Sequence, residues 1–139
     1  MIVSNDIILI ITKPKSLNEI TDEVKDVCSR TRIKDGMLTI YNRHTSCSLM
    51  IMENADPSAI KDLEYFMDRL VPEGDPNYTH TYEGKDDMPS HIKMALTRTS
   101  ESIPLKGGQI LLGKWQGIFL WEHRDKGHNR ELVINLQGT

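Results

Sequence analysis

Three of the five histidines lie among other polar residues at the predicted ends of secondary-structure elements. They are His44, His80 and His91. Neutral imidazole is the commonest protein ligand for zinc and related metals, and three imidazoles that leave one position open form a catalytic arrangement. Each histidine taken singly also fits an ordinary hydrogen-bonded residue of a turn. Together they predict a divalent metal site, with zinc as the first candidate and a bound anion as the alternative.

A second set of polar residues flanks the predicted strands and helices. Alternation along a strand near the C-terminus places Gln116, Glu122 and Arg124 on one face. The last two form either a structural ion pair or a site in which the carboxylate holds a ligand or metal and the guanidinium binds phosphate oxygens. Asp56 and Asp87 each precede a predicted helix, where they act as caps or as site residues.

The sequence motifs of several enzyme classes are missing. Ser46 lies in no GxSxG elbow, so we do not expect a serine hydrolase nucleophile there. The chain has no HExxH motif and no EF-hand loop, and the Gly107-Gly108 pair lacks the strand, loop and helix context of a phosphate-binding loop. Cys28 and Cys47 form no CxxC motif and are predicted to be buried thiols.

Length and composition favour one domain spanning residues 1–139. A chain of 139 residues can bury about two-thirds of its unfolded surface, which is enough for a core without disulfides. The net charge is -3 with both signs interspersed, so no nucleic-acid partner is expected. The apolar run at residues 7–11 is too short to span a bilayer and lacks the features of a signal peptide. We therefore expect a cytoplasmic protein without a membrane partner.

Hydrophobic periodicity predicts more strands than helices. Strands are predicted at residues 6–12, 37–42, 46–53, 102–112, 116–124 and 131–137, the fourth folded as a hairpin at Lys106-Gly107-Gly108. Helices are predicted from a capping box at Ser16–Glu19 to about Arg30, from Asp56-Pro57 to just before Pro72, and from Pro89 onward. The predicted fold is α+β: a mainly antiparallel sheet assembly with two or three helices packed on it.

The segment from Asp75 to Met88 is polar, rich in turn-forming residues and without periodicity. A loop of this length inside a small domain is either disordered or functional. We expect it to be ordered, because it must bring His80 and Asp87 to the site.

Seven blocks of the sequence resemble the signature blocks of the YjbQ family, whose members are small proteins often labelled secondary thiamine-phosphate synthases. The blocks follow one another in order over nearly the whole chain. They are HTS at 44–46, ENADP at 53–57, DLE at 62–64, RLVPE at 69–73, YTH at 78–80, DDMPSHIK at 86–93 and GKWQGIFLWEHR at 113–124. Two mild departures from the family pattern are Cys47-Ser48 in the predicted strand at residues 46–53 and Ser90, which precedes His91.

The resemblance implies a jelly-roll-like β-sandwich with outer helices, assembled as a homotrimer. It also implies a set of site residues at both ends of the strand that follows the HTS block. The family's polar positions correspond here to His44, Ser46, Asn54, Asp56, His80, Asp87, His91, Gln116, Glu122 and Arg124.

Three functions remain open at this point. The resemblance implies a thiamine-phosphate synthase, which joins a pyrimidine diphosphate to a thiazole phosphate and releases diphosphate as a secondary activity. Its small phosphorylated substrates require positive charge at the leaving oxygens, for which the sequence offers Lys85, Lys93 and Arg124. The alternatives are a metal-dependent hydrolase, with Glu122 or Asp87 as the base of the histidine cluster, and a non-catalytic ligand-binding trimer.

Overall fold

Eight strands form two antiparallel sheets in the structure, which is a computed structural model that describes residues 1–139. The elements are β1 (Ile2–Ile11), β2 (Ser16–Glu19), α1 (Thr21–Ser29), β3 (Gly36–Asn42), β4 (Cys47–Glu53), α2 (Pro57–Leu70), α3 (Asp87–Leu96), β5 (Ser100–Lys106), β6 (Gln109–Ile110), β7 (Gln116–Glu122) and β8 (Asn129–Gly138). The larger sheet has the strand order β1-β8-β3-β5-β6 and the smaller one β2-β7-β4. The predicted α+β fold with mainly antiparallel strands is confirmed.

The main core lies between the two sheets and beneath α1. Strand alternation directs Leu132, Ile134 and Leu136 of β8 inward, where they join Ile118 and Leu120 of β7, and all five are fully buried. The apolar face of α1 completes the same cluster of 17 buried residues. A core of this kind follows from the period-2 and helical patterns of the sequence.

Strand β7 is buried on both faces. Its other face carries Phe119 and Trp121, which pack with Leu17, Met67 and Val71 in a second cluster beneath α2 and α3. Alternation along this strand in the sequence does not indicate that both of its faces are covered. Both faces are buried because helices cover the smaller sheet on the side away from the larger one, as they cover buried strands in layered folds.

The predicted capping box at Ser16–Glu19 is wrong. This segment is strand β2, which pairs antiparallel with β7 from Ser16 opposite Glu122 to Glu19 opposite Phe119. Helix α1 begins at Thr21, and its N-cap Ile20 makes no side-chain cap hydrogen bond. The ladder with β7 gives the backbone of this segment partners that a helix start would leave unbonded, so a tertiary contact decides against the local capping signal.

Two other local predictions are confirmed. Asp56 is the N-cap of α2, where its side chain accepts a hydrogen bond from the Ser58 N–H at 3.0 Å, and Pro57 occupies the first helical turn. Gly107 and Gly108 form the turn between β5 and β6 with φ values of 58° and 80°, the left-handed region that a two-residue hairpin requires. The chain contains no helix with the length and hydrophobicity needed to cross a bilayer.

His123 follows β7 and is 1% exposed. Its Nε2 lies 2.8 Å from the hydroxyl of Ser48, while Nδ1 has no hydrogen-bond partner. Burial lowers the pKa of His123 to about 3, and the positive charges of Lys93 and Arg130 act in the same direction. The folded protein therefore keeps this ring neutral at a pH where the unfolded chain protonates it.

We predict that His123 makes the fold acid-sensitive. Between about pH 3 and the ordinary value of 6.5, the unfolded state binds one more proton at this residue than the folded state. The contribution of neutral His123 to the free energy of unfolding is fully present above pH 6.5. It is lost as pH falls, by up to about 1.4 kcal/mol per pH unit. Urea unfolding at a series of pH values measures this slope. His123→Gln should flatten it between pH 4.5 and 6.5, whereas an unchanged slope would contradict the assignment.

Candidate metal centre

Two histidines and one carboxylate meet where the polar loop joins α3. His80 Nε2 lies 2.8 Å from Asp87 Oδ2, and His91 Nε2 lies 3.2 Å from Asp87 Oδ1. The three ligand atoms all lie within 4.8 Å of one another. The side chain of Asp87 is 4% exposed, that of His91 27% and that of His80 56%, so the group opens to solvent on the His80 side.

The hydrogen bond on the far side of His91 fixes its tautomer. His91 Nδ1 lies 2.6 Å from the carbonyl oxygen of Thr45, and a carbonyl can only accept, so Nδ1 carries the proton and donates. In the neutral ring, Nε2 then presents a lone pair to the carboxylate of Asp87. Two acceptors at 3.2 Å repel each other unless a proton or a metal ion lies between them.

The donor set and its spacing fit a divalent metal. Ligand atoms at zinc distances in a tetrahedral site lie about 3.3 Å apart, close to the separation of His91 Nε2 and Asp87 Oδ1. The Thr45 carbonyl already supplies the outer hydrogen bond that orients a metal-binding imidazole. Two imidazoles and one carboxylate suit zinc or iron better than magnesium or calcium.

Two sources of positive potential lie beside the carboxylate of Asp87. Asp87 is the first residue of α3, where the helix dipole favours negative charge, and its Oδ1 lies 3.1 Å from Arg124 Nη1. Burying this carboxylate without such compensation would be unfavourable. The sequence had already indicated Asp87 as a candidate site residue, because it precedes a predicted helix.

Arg124 is fully engaged by the loop rather than free for a substrate. Its Nε donates to Asp86 Oδ2 at 2.8 Å, and Nη2 donates to the Glu83 carbonyl oxygen at 3.0 Å. Hydrogen bonding to Asp86 raises the pKa of Arg124. Burial alone would raise the pKa of Asp86, but the hydrogen bonds from Arg124 and from the Asp125 N–H hold it below its ordinary value. Arg124 is thus a positioning residue that fixes the loop and Asp87.

Glu122 lies in a separate buried network. Its Oε1 accepts hydrogen bonds from Arg130 Nε at 2.8 Å and from the Thr12 hydroxyl at 2.6 Å, and Arg130 also donates to the Ser46 hydroxyl at 2.9 Å. Burial would raise the pKa of Glu122, but the hydrogen bonds from Arg130 and Thr12 outweigh it and lower the pKa. With both oxygens occupied, Glu122 acts as a structural anchor in this structure and not as a free base.

His44 lies outside the metal-ligand group, which corrects the expectation that it joins His80 and His91. Its Nε2 accepts a hydrogen bond from the Glu131 N–H at 2.9 Å, so the ring is directed to β8. Asp87 takes the third position instead. Ser46 lies just before β4, and its hydroxyl accepts a hydrogen bond from Arg130. Ser48 lies within β4, and its hydroxyl is bonded to His123. Because the residues before β4 do not continue the strand, these two hydroxyls lie on opposite sides of the smaller sheet.

The remaining predicted site residues lie at the opposite end of β4 and β7. Glu53 pairs with Gln116 there, six residues from the pair formed by Cys47 and Glu122, a separation of about 20 Å. Asn54 donates to Glu19 at 3.0 Å, and Gln116 accepts from the Gly113 N–H at 2.8 Å. Asp56 caps α2, and the hydrogen bond from the Ser58 backbone N–H lowers its pKa. Within one chain these three residues do not meet the metal-ligand group.

Sequence reasoning missed three contributors to this region. Arg130 was not singled out, although a buried arginine beside a carboxylate is needed to neutralise Glu122. The carbonyl of Thr45 and the hydroxyl of Thr12 were missed because neither residue type signals such a role.

A cavity of ≈ 270 Å³ adjoins His80 and is also lined by Tyr78, Lys85 and Met88.

Comparison with known proteins finds relatives along nearly the whole chain. The family model described as UPF0047 protein YjbQ-like matches residues 6–139. The UPF0047 protein sll1880 of Synechocystis sp. is 47% identical over 133 residues, which are 96% of this chain and 90% of that protein. The UPF0047 protein YjbQ of Escherichia coli O157:H7 is 43% identical over 127 residues, 91% of each chain.

Solved structures share the fold. An uncharacterized conserved protein of the yjbq/upf0047 family from Clostridium acetobutylicum has a TM-score of 0.86 and 29% identity, covering 95% of this chain and 99% of its own. A YbjQ-like protein of unknown function from Sulfolobus solfataricus has a TM-score of 0.88 at 20% identity, covering 99% and 98%, a likeness of fold alone.

We predict that Arg124→Gln weakens metal binding by about 10- to 100-fold, because the loss of its hydrogen bonds frees Asp87 and the loop. Zinc titration calorimetry measures this change, and limited proteolysis should show faster cleavage within residues 75–86. Arg98→Gln removes an exposed arginine that pairs with Glu101 at 3.2 Å and should leave both readouts unchanged. Equal zinc affinity in Arg124→Gln and the wild type would rule out the positioning role.

Proposed function

The chain belongs to the UPF0047 protein YjbQ-like family, and we propose that it is a small cytoplasmic metal-dependent enzyme that acts on a phosphorylated substrate. The family resemblance noted in the sequence is thereby confirmed, while the activity is our proposal. The reaction we assign is the formation of thiamine phosphate from a pyrimidine diphosphate and a thiazole phosphate, with release of diphosphate. The observation that carries the proposal is the apposition of His91 Nε2 and Asp87 Oδ1 at 3.2 Å, which calls for a proton or a metal ion between them; the metal ion is the occupant we propose.

The cavity beside His80 supports a phosphorylated substrate. Its lining includes Lys85, whose ammonium group makes no salt bridge in the structure. Lys93, by contrast, is buried and donates to Asp68 at 2.7 Å, and Arg124 is held by the loop carboxylates. Of the three cations predicted from the sequence, Lys85 is therefore the one we propose to contact phosphate oxygens.

The proposed reaction forms one carbon–nitrogen bond and breaks the carbon–oxygen bond to diphosphate. A divalent metal held by His80, Asp87 and His91 would supply positive charge to the departing oxygens. Lys85 adds a second positive charge from the cavity wall, and the Thr45 carbonyl keeps His91 in the metal-binding tautomer. Arg124 holds the carboxylate of Asp87 in place.

A metal-dependent hydrolase is the second candidate, and the donor set favours it. Two imidazoles and one carboxylate are typical of zinc or iron rather than of the magnesium that usually accompanies diphosphate. His80, Asp87 and His91 would hold a zinc ion with one position open, and zinc held in this way would supply an activated water for attack on a phosphate ester. The two candidates share the metal and the cavity and differ in whether water or a thiazole nitrogen is the nucleophile.

We predict that removing the metal with a chelator abolishes activity and that adding zinc restores it. His80→Ala and His91→Ala should both lose the bound metal by elemental analysis and lose activity with the two thiamine precursors. His128→Ala is the matched control, because His128 lies outside the group and bonds to the Lys126 carbonyl oxygen at 2.8 Å.

The same samples separate the candidate functions. Diphosphate release that requires both precursors supports the synthase, and phosphate release from a single ester supports the hydrolase. A wild-type protein that stays metal-free after zinc-supplemented purification, with both alanine variants fully active, would show that these histidines are structural. Substrate binding without turnover in the zinc-loaded protein would favour the non-catalytic ligand-binding trimer.

We also propose that the protein is a homotrimer assembled through the outer face of the larger sheet. On β1 this face carries Val3, Ile7, Leu9 and Ile11, each more than half exposed. Tyr41 of β3 extends the face, 49% exposed. Apolar side chains at alternate positions of a long strand are normally covered, and a second copy of the chain is the covering we propose.

We predict that Ile7→Lys disrupts the trimer, because it would bury an unpaired ammonium group in an apolar interface. Light scattering should give the mass of three 15.9 kDa chains for the wild type and a smaller species for the variant. Tyr82→Lys is the control, since Tyr82 is 99% exposed and lies in the loop. A wild type that is monomeric at micromolar concentration would disprove the assembly.

A further inference from the structure

One side of β1 carries unpaired backbone groups. The Thr12 N–H donates to the His128 carbonyl oxygen at 3.0 Å, and the register runs from this pair back along β1. Because hydrogen-bonded positions alternate in an antiparallel ladder, the even-numbered residues of β1 bond to β8. The N–H and C=O groups of the odd-numbered residues 3, 5, 7, 9 and 11 point away from the sheet, and none of them bonds to another loop or turn.

This edge lacks the features that usually protect a terminal strand. Proteins shield sheet edges with short strands, bulges, lysine or proline. Strand β1 has ten residues, pairs with β8 at every position without a bulge, and contains no lysine, proline or glycine. Its second half, Ile7 to Ile11, carries no charge. An edge of this kind is a template for a further strand.

A groove runs beside the edge, between β1 and α1. Two cavities of ≈ 420 and ≈ 310 Å³ share Leu9 and Glu23 in their linings and are therefore contiguous. We call them together the edge groove. Its β1 wall is formed by the apolar residues 8–11, and its other wall by the end of β2 and the first two turns of α1.

The wall of the edge groove on the α1 side is acidic. Glu19, Asp22, Glu23 and Asp26 line it, against Lys13 and Arg30. The one salt bridge between groove residues joins Arg30 to Asp26 at 3.2 Å, so Asp22 and Glu23 have no cationic partner. The groove therefore combines free backbone donors and acceptors, an apolar floor and an excess of negative charge.

We propose that the edge groove binds an extended basic segment of a partner protein, which adds to β1 as a further strand. Backbone hydrogen bonds to the odd-numbered residues supply affinity, and alternate side chains supply specificity, as in other strand-addition complexes. Lysine or arginine at every second position of the segment faces Asp22 and Glu23. The positions between them carry apolar or small polar residues that continue the outer face of the sheet.

Charge favours a partner protein over a second copy of this chain. A second β1 paired about a two-fold axis perpendicular to the sheet would bring its own α1 to the same face. Its Asp22, Glu23 and Asp26 would then approach the identical residues, and like charges across such an interface are unfavourable.

A synthetic peptide tests the proposal on the intact protein. The probe is a fluorescein-labelled peptide of eight residues in which lysine alternates with valine and threonine. Fluorescence anisotropy should show saturable binding, and hydrogen exchange should show that the amides of residues 5, 7, 9 and 11 become protected. That protection distinguishes strand addition from non-specific charge attraction, which leaves backbone exchange unchanged.

Two variants and a matched control complete the test. The double variant Asp22→Asn/Glu23→Gln should weaken peptide binding by about five- to thirty-fold, as expected for two exposed charge pairs. Leu9→Pro removes an outward N–H at an edge position and should abolish the protection. The control Glu53→Gln/Asp62→Asn neutralises two exposed carboxylates elsewhere and should leave binding unchanged.

Three results would overturn the proposal. The first is equal binding to the wild type and to the acidic-wall variant. The second is peptide binding without protection of the β1 amides. The third is protection of those amides in the free protein before any peptide is added, which would assign the edge to a contact between copies of this chain.

Discussion

The carboxylate of Asp87 is buried, charged and shared, and the proposed site depends on keeping it so. Removing an ion from water is unfavourable unless opposite charge and hydrogen bonds replace the lost hydration. Here the start of α3, the guanidinium of Arg124 and the ring of His80 provide that replacement. Because these groups come from α3, from the segment after β7 and from the polar loop, satisfying Asp87 brings these three parts of the chain together.

A second buried ion pair gives this arrangement a rigid base. Glu122 and Arg130 connect the end of β7 to β8, and Arg130 reaches the Ser46 hydroxyl just before β4. The Arg124 N–H also donates to Glu122 at 3.2 Å. Arg124, whose side chain bonds to the loop, is thus also bonded to the buried network through its backbone N–H. Movement of Arg124 would require a break in this network, which explains how an exposed histidine and a polar loop can hold a defined geometry.

The features of the fold that could be predicted from the sequence are those that depend on residues close together in the chain. Alternation and turn chemistry predicted the hairpin at Gly107-Gly108 and most strand positions, and Asp56-Pro57 predicted the start of α2. Ser16–Glu19 was mispredicted because its capping pattern is local, whereas the pairing with β7 depends on residues about 100 positions away. Burial of both faces of β7 was likewise missed, since alternation does not show what packs on each face.

The site was partly predictable for the same reason. His80, Asp87 and His91 were all candidates, because polar residues at element ends near one another in sequence tend to be placed together. His44 was assigned to the wrong group, since the direction of its ring depends on the N–H of Glu131, which no local pattern reveals. Asn54 came from the family resemblance alone, and Asp56 and Gln116 came from that resemblance and from their places at the ends of elements. Neither source states which residues meet in one chain.

The most direct test of the account is the position of a bound metal. Crystals of the zinc-loaded protein, measured on both sides of the zinc absorption edge, give the metal position from anomalous differences alone. The account predicts one peak per chain, at about 2.0–2.2 Å from His80 Nε2, His91 Nε2 and an oxygen of Asp87. A fully formed crystal with no anomalous peak between these residues, or with its only peak beside His44, would contradict the account.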